Sequence, residues 1–240
     1  MNADMLALDV DGMEAGYGEV QVLWGVSLQV RRGRLTTIVG ANGAGKTTTL
    51  RGISGTVTPN GGQVRFGDDD VTRLPAYRKA ERGLVLVPEG RQLFTDMTVA
   101  ENLEMGAFTA RARGSQSRNM RRVCEYFPRI RERLHQKAGT LSGGEQQMLA
   151  VGRGLMAEPE VLMIDEMSLG LAPVLAQQLF QTLKQLRDDG LTVLLVEQNV
   201  HLALALADYA YVLAEGQVHL EGPAREVAEN DEIRKAYLGL

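Results

Sequence analysis

A glycine-rich octapeptide between an apolar run and a helix-like stretch constrains the fold of this 240-residue chain more than any other feature. Gly40–Thr47 matches the pattern G-x-x-x-x-G-K-[ST] and follows the β-branched run Leu35–Val39. Glycines in such a loop let successive backbone N–H groups turn inward and approach phosphate oxygens without a side-chain clash. A helix that starts at the end of the loop adds the positive end of its dipole. The sequence therefore predicts a P-loop, which binds phosphates between a strand and a helix.

Two side chains at the end of this loop have defined roles in such a site. Lys46 can reach the β- and γ-phosphates of a nucleotide, and the Thr47 hydroxyl can ligate Mg²⁺. The residues that we expect to hold the nucleotide at the loop are Gly40, Asn42, Gly43, Ala44, Gly45, Lys46, Thr47 and Thr48.

Short apolar runs alternate with helix-like stretches along most of the chain, which is typical of an α/β domain with a mostly parallel sheet. The predicted strands are Leu35–Val39, Leu84–Val87, Val161–Ile164, Thr192–Val196 and Ala210–Leu213. The predicted helices are Thr47–Ile53, Gly144–Met156, Val174–Asp188 and Val200–Ala207. The opening differs, because Leu6–Tyr17 and Gly25–Val30 have no helix between them and indicate antiparallel strands.

Composition narrows the class of protein. The net charge of −4 argues against a protein that binds nucleic acid through its overall charge. The apolar runs are much shorter than the roughly 20 residues that a membrane-spanning helix needs. Met1–Val10 contains no basic residue and does not resemble a signal peptide. A single cysteine, Cys124, excludes an internal disulfide, fits a reducing compartment and is expected to be buried. We therefore expect a soluble, cytoplasmic protein.

The stretch from Thr98 to Leu134 breaks the alternation, because it is largely helix-like and contains no convincing strand. Two interpretations are a nucleic-acid patch and a solvated helical subdomain inserted in the α/β core. We favour the helical subdomain, because aromatic side chains do not alternate with the arginines as they do in a surface that stacks bases. The stretch holds eight of the 21 arginines: Arg111, Arg113, Arg118, Arg121, Arg122, Arg129, Arg131 and Arg133.

Two carboxylates follow the apolar run Val161–Ile164. A buried strand that ends in an acidic residue presents that carboxylate at the carboxyl edge of the sheet, where ligands bind in open α/β folds. We expect Asp165 to be a Mg²⁺ ligand, through water. Glu166, one residue on, is placed to orient or deprotonate an attacking water.

A third motif precedes the predicted helix Gly144–Met156. It reads Leu-Ser-Gly-Gly-Glu-Gln, and Ser142 and Glu145 have the S-x-x-E spacing of a capping box. The N-terminus of the helix also offers N–H donors to an anion. By itself the motif fits a well-capped helix and an anion site equally well.

The order of these three motifs resembles the ATP-binding subunit of ATP-binding-cassette (ABC) transporters, and the resemblance covers nearly the whole chain. It implies a P-loop NTPase core of α/β class with an N-terminal antiparallel β subdomain and an inserted α-helical subdomain. Residues 1–240 would then form a single ABC ATP-binding domain, with the helical subdomain at roughly 91–157. The cofactors implied are ATP and Mg²⁺.

The same resemblance implies that each ATP site is shared between two subunits in a head-to-tail dimer. ATP bound at Gly40–Thr47 of one subunit is capped by Ser142, Gly143, Gly144 and Glu145 of the other. The family also places an aromatic ring against the adenine, and Tyr17 occupies that position here.

Two family positions near the phosphates carry unusual residues. Glu89 stands where most members have a glutamine that touches the metal, and a carboxylate can still ligate Mg²⁺. Gln198 stands where most members have a histidine against the γ-phosphate. Its amide can donate to a phosphate oxygen but holds no titratable proton. We do not expect His201, three residues further on, to substitute for that histidine.

The loop after Glu166 departs as well, with Met167 in place of a proline and Ala172 in place of an aspartate. Together with Val-Pro-Glu-Gly-Arg, Ser-Leu-Gly-Leu-Ala-Pro, Leu-Val-Glu-Gln-Asn and the terminal Ala236–Leu240, these departures resemble the LivF-type ATPase of branched-chain amino-acid importers. The resemblance implies a motor subunit, peripheral on the inner face of the cell membrane. It would work with two integral-membrane permease subunits, an identical or paralogous ATPase, and a periplasmic or surface binding protein, without nucleic acid.

Three alternatives stay open at this point. The chain could serve an importer of urea, amides or other polar amino acids. It could be an ABC ATPase outside transport that acts on nucleic acid or protein, or a nucleotide-binding regulator with weak hydrolysis. Gly90–Leu103 follows the Glu89 segment and fits either a permease-docking surface or ordinary packing.

Overall fold

Two β-sheets organise the computed structural model, which describes residues 5–235. The strands within that range are β1 (Leu6–Tyr17), β2 (Val20–Arg31), β3 (Leu35–Val39), β4 (Gly61–Phe66), β5 (Asp69–Asp70), β6 (Leu84–Val87), β7 (Val161–Asp165), β8 (Thr192–Glu197), β9 (Tyr209–Ala214) and β10 (Gln217–Pro223). The helices are α1 (Lys46–Ser54), α2 (Ala76–Glu81), α3 (Val99–Gly106), α4 (Ala110–Arg113), α5 (Gln116–Tyr126), α6 (Pro128–Arg131), α7 (Gly143–Met156), α8 (Pro173–Asp188), α9 (Val200–Leu206), α10 (Ala224–Glu229) and α11 (Asp231–Ile233).

The larger sheet has the order β10-β9-β3-β8-β7-β6, and its strands are parallel except for β10. Parallel strands end at a common edge, and here the register sets Val39 beside Glu197 and Asp165 beside Val196. The segments that follow β3, β7 and β8 therefore meet at this edge. The smaller sheet is antiparallel, with the order β2-β1-β4-β5.

Both faces of the parallel sheet are covered, as its uninterrupted apolar strands require. On one face Ile38, Met163 and Val196 pack against the antiparallel sheet and α1. On the other face residues offset by one position, such as Leu162 and Leu195, pack against the layer of α7 and α8. This period of two assigns each strand residue to one of two cores.

The predicted fold class is confirmed, and the predicted elements agree with the structure to within one or two residues at most ends. One strand is wrong at its start, because β2 begins at Val20 rather than Gly25. Its first residues pair with β1 through the turn at Tyr17–Val20. Three further elements, β4, β5 and α2, were not predicted, because they are short and rich in glycine or charged residues.

The stretch from Thr98 to Leu134 contains α3 to α6 and lies between β6 and β7 in the chain order. Cys124 is buried in α5, and burial raises the pKa of its thiol. Within residues 5–235 no helix is both long enough and apolar enough to cross a membrane. The terminal residues Ala236–Leu240, which are part of the resemblance to the LivF-type ATPase, lie outside the described residues.

Candidate functional site

The P-loop is shaped by close backbone approaches that only glycine tolerates. A Cβ at Gly40 would lie 2.2 Å from the Leu213 carbonyl oxygen. Gly45 has a φ of 103°, and a Cβ there would lie 2.7 Å from a Leu23 methyl carbon. One side of the loop therefore packs on β2 and β9. We expect the opposite side, where the backbone N–H groups can face a phosphate, to bind the ligand.

Lys46 is the first residue of α1, and its side chain folds back over the loop. Its Nζ donates to the carbonyl oxygens of Gly40 at 3.1 Å and Ala41 at 3.0 Å. The same Nζ lies 3.6 Å from Glu166 Oε1. Only 4% of this residue is exposed. The ammonium group is thus held between the loop and the acidic end of β7, where it can attract an anion.

Thr47 and Asp165 form the most direct contact between the loop and β7. The Thr47 hydroxyl donates to Asp165 Oδ1 over 3.1 Å. Burial raises the pKa of Asp165 to about 6; the Thr47 hydrogen bond opposes this rise, and the carboxylates of Glu166 and Glu89 add to it. The Thr47 hydroxyl and the Asp165 carboxylate place two hard oxygen donors side by side at the P-loop. These residues therefore fit Mg²⁺.

Glu166 follows β7 with a left-handed backbone, at φ 46°. That conformation is uncommon for a residue with a Cβ and costs on the order of 1 kcal/mol. It is held by a hydrogen bond of 2.9 Å from the Glu166 N–H to the Val196 carbonyl on β8. The turn directs the carboxylate back toward Lys46 instead of along the strand.

Gln198 follows β8 directly, so it lies at the same edge of the sheet as the P-loop and Glu166. Its side chain is exposed. His201 is exposed on α9, three residues further on.

Glu197, which the sequence reasoning did not single out, is only 1% exposed. It accepts hydrogen bonds from Ser168. The sequence did contain one signal: a glutamate that continues a fully apolar run at the end of a predicted buried strand.

Tyr17 ends β1 at the rim of the site. Its hydroxyl lies 3.4 Å from Thr48 Oγ1 and accepts a hydrogen bond of 3.1 Å from Arg51 Nη1. Both partners belong to α1, which begins at the P-loop. Tyr17 is 43% exposed, so part of its ring is accessible to a planar ligand.

The Ser142–Glu145 segment forms the capping box expected from its spacing. The Ser142 N–H donates to Glu145 Oε2 at 2.9 Å, and the Glu145 N–H donates to Ser142 Oγ at 3.4 Å. Arg133 Nε lies 3.0 Å from Glu145 Oε1, which ties this turn to the segment after α6. A Cβ at Gly144 would lie 2.6 Å from a Leu175 methyl carbon, so α7 and α8 approach closely there.

The expected site residues thus fall into two groups in one chain. The P-loop, Tyr17, Asp165 and Glu166 meet around α1 and β7. The capping box of α7 is instead held by contacts to the helical segment and to α8.

Solved structures resemble this arrangement along its whole length. The ADP conformation of an ATP-binding cassette of an ABC transporter matches with a TM-score of 0.86 and 28% identity, covering 98% of this chain and 100% of the other. A nucleotide-free ATP-binding cassette from an ABC transporter matches equally well, with a TM-score of 0.86. The likeness to a cassette in its ADP conformation and to a nucleotide-free one agrees with a nucleotide site at the P-loop.

Sequence comparison gives the same answer. The ABC transporter family model matches residues 23–168. The high-affinity branched-chain amino acid transport ATP-binding protein BraG of Pseudomonas aeruginosa is 45% identical over 97% of this chain and 99% of its own length. The probable branched-chain amino acid transport ATP-binding protein LivF of Archaeoglobus fulgidus is 38% identical over 95% of this chain and 97% of its own. Matches of this extent mean that the chain belongs to the ABC transporter family and is one of its nucleotide-binding ATPases.

Proposed function

We propose that this chain is the ATP-hydrolysing motor subunit of an importer of branched-chain amino acids. The observation that carries the proposal is the 45% identity with BraG over 97% of the chain. We interpret residues 1–240 as one ABC domain, with the helical subdomain at about 91–157.

The positions of the side chains support different roles for different residues around ATP. Lys46 binds the terminal phosphates, and Thr47, Asp165 and Glu89 would hold Mg²⁺. When bound, Mg²⁺ supplies positive charge that offsets the charge of the phosphate oxygens. Glu166, turned toward Lys46, orients the attacking water and accepts its proton. Gln198 donates its amide to a γ-phosphate oxygen.

The capping box supports a role for α7 in a second subunit's site. Ser142 is exposed at the start of a helix of 14 residues, whose free N–H groups and dipole favour an anion. We propose that Ser142, Gly143, Gly144 and Glu145 cap ATP bound to the partner's P-loop, with Ser142 and Gly144 in contact with it. The partner would be a second copy or a paralogous ATPase.

An apolar groove beside the site supports docking to a permease. Its volume is about 930 Å³, and it runs along β6 between α2 and α3. Tyr77, Phe94, Met105 and Phe108 line it with rings and chains that are each about half exposed. Pro88, which precedes Glu89, also lines it. Such a groove fits a short amphipathic helix, and we propose that a cytoplasmic helix of the permease occupies it.

Three of the eight arginines in the helical stretch form ion pairs within the chain, which supports a function that does not involve nucleic acid. Arg111 pairs with Glu160 at 2.7 Å, Arg118 pairs with Glu158, and Arg133 pairs with Glu145. A phosphate would have to compete with these carboxylates for the three guanidinium groups. Strong binding of the purified chain to nucleic acid near physiological salt would contradict this part of the proposal.

The test is reconstitution with candidate permease subunits, a second ATPase and a binding protein, chosen from the genes that neighbour the gene for this chain. Vesicles with ATP inside should accumulate labelled leucine, isoleucine and valine, and the chain should hydrolyse ATP faster when the loaded binding protein is present. Urea, an amide and glutamine are the competing substrates. Uptake of one of these compounds instead would mean that the chain belongs to an importer of that compound. ATP hydrolysis without uptake of any of the tested substrates would contradict the transport function.

A further inference from the structure

One buried carboxylate joins the two segments that carry the proposed hydrolytic residues. Glu197 ends β8 and is only 1% exposed. Its Oε1 accepts the Ser168 N–H at 3.0 Å, and its Oε2 accepts the Ser168 hydroxyl at 2.7 Å. The backbone N–H of Asn199 lies near the same carboxylate and acts to lower its pKa, against the effect of burial. All of these groups lie in loops at the site edge of the sheet.

The position of Glu197 connects these loops in a specific way. It precedes Gln198, the residue proposed to contact the γ-phosphate, and Ser168 lies two residues after Glu166. The Glu166 N–H already binds the Val196 carbonyl at 2.9 Å. The loop after β7 is therefore fastened to β8 at Glu166 by its backbone and at Ser168 by the Glu197 side chain.

Packing alone does not require a carboxylate at this position. The five preceding residues of β8 are buried, and four of them, Val193–Val196, are apolar. Burying a carboxylate costs free energy, which only well-placed donors offset. The donors here come from Ser168, with the Asn199 N–H nearby, so the carboxylate is used to fix these loops and not to fill the core.

We propose that Glu197 is a positioning residue for ATP hydrolysis, because its bridge to Ser168 holds Glu166 and Gln198 at a fixed separation across the γ-phosphate. This inference rests on the proposed function. A displacement of reacting groups by about 1 Å can lower a rate about a hundredfold, which sets the scale of the expected effect.

Three substitutions test the bridge in the assembled transporter. Glu197→Ala removes it, and kcat for ATP should fall by about ten- to a hundredfold while KM changes by less than about threefold. Ser168→Ala keeps the backbone bond and removes the hydroxyl, so kcat should fall by about three- to tenfold. Glu197→Gln keeps the length and an acceptor for the Ser168 N–H, and its amide can pair with the hydroxyl. It should therefore restore kcat to within about threefold of wild type.

Amide hydrogen exchange gives a second readout that does not depend on turnover. The Ser168 N–H should exchange faster in Glu197→Ala than in wild type, and Glu197→Gln should restore its protection. Thr37→Val is the matched control, since it removes a different buried bond to β8, from the Thr37 hydroxyl to the Leu195 carbonyl at 3.1 Å. It should leave both kcat and Ser168 exchange unchanged.

The proposal is overturned if folded Glu197→Ala matches Thr37→Val in kcat and in Ser168 exchange. If Glu197→Ala does not fold, Ser168→Ala decides, and wild-type kcat in that variant overturns the proposal. A wild-type assembly that hydrolyses no ATP would instead contradict the proposed function, while Ser168 exchange would still report whether the bridge forms.

Discussion

At the scale of single residues, one member of the site, Glu166, is held in a costly backbone conformation. Glu166 has a left-handed backbone at φ 46°, and its carboxylate lies 3.6 Å from Lys46 Nζ. A strand that simply continued would carry this carboxylate away from the P-loop. The local strain is offset by the bond to Val196 and positions the group that we propose to act on water.

Glu166→Gln should therefore separate ATP binding from hydrolysis. The amide keeps the size of the side chain but accepts no proton, so turnover should fall by about 10²- to 10⁴-fold. ATP binding should persist, because Lys46, Thr47 and Asp165 are unchanged. The variant should accumulate as an ATP-bound dimer, measured by size-exclusion chromatography with ATP. Turnover at the wild-type rate would show that Glu166 does not have this role.

Lys79, which lies away from the proposed site, should make the stability of the fold depend on pH. It is 1% exposed, and its Nζ donates to the Ile53 carbonyl at 2.8 Å, near the end of α1. Burial lowers the pKa of Lys79 from 10.5 to about 8, against a small opposing effect of Asp70. Between these two values the unfolded chain binds more protons than the folded chain. This residue therefore makes the free energy of unfolding rise with pH over that window.

Comparison with Lys79→Met isolates this contribution, because the other titrating groups are shared. The free energy of unfolding of wild type minus that of the variant should increase by about 2 kcal/mol between about pH 7 and 9.5. Urea unfolding at several pH values measures it. A difference that stays constant or falls with pH would mean that folding does not lower the pKa of Lys79.

At the scale of elements, two helices begin with the same capping box but in different surroundings. Thr98 and Glu101 cap α3, and Ser142 and Glu145 cap α7. Only the second is proposed to face a nucleotide in the partner subunit. Comparing substitutions in the two capping boxes therefore distinguishes the contribution of a cap to stability from its contribution to nucleotide binding.

Ser142→Ala and Thr98→Ala should each lower the free energy of unfolding by about 1 kcal/mol, since each removes an acceptor for an N–H of the first turn. Only Ser142→Ala should also weaken ATP-driven dimerisation of the purified chain. Thermal unfolding and analytical ultracentrifugation with ATP measure the two effects. Equal dimerisation of both variants would argue against contact between Ser142 and the partner's ATP.

The elements differed in how far the sequence could predict them. The P-loop and the strands β3, β7 and β8 follow from local patterns: glycine spacing, apolar runs and acidic ends. The bridge between Glu197 and Ser168 joins residues 29 positions apart and depends on the register of β7 against β8. No local pattern contains that register. Strands β4 and β5 are stabilised by pairing with β1 and with each other, which sequence periodicity alone does not reveal.

At the scale of the whole molecule, a short segment of chain connects the apolar groove to the proposed metal site. Val87 ends β6 and lines the groove, and Glu89 follows two residues later, near enough to Asp165 for its charge to raise the pKa of that carboxyl. A helix that moves in the groove would act on a short, direct connection to the proposed metal ligands. This connection depends on α2, β6 and α3, which are brought together only by the complete fold.

Phe108→Asp should uncouple the chain from its permease without harming its own site. The ring is 55% exposed in the groove, and a charge there would remain unpaired against an apolar partner helix. We expect the affinity for the permease in detergent to fall by at least about tenfold, as for an aromatic anchor of an interface. The basal ATPase rate of the isolated chain should be unchanged. Phe108→Leu keeps the groove apolar and should retain most of the affinity. If Phe108→Asp bound the permease as tightly as Phe108→Leu, the docking helix would have to contact another surface.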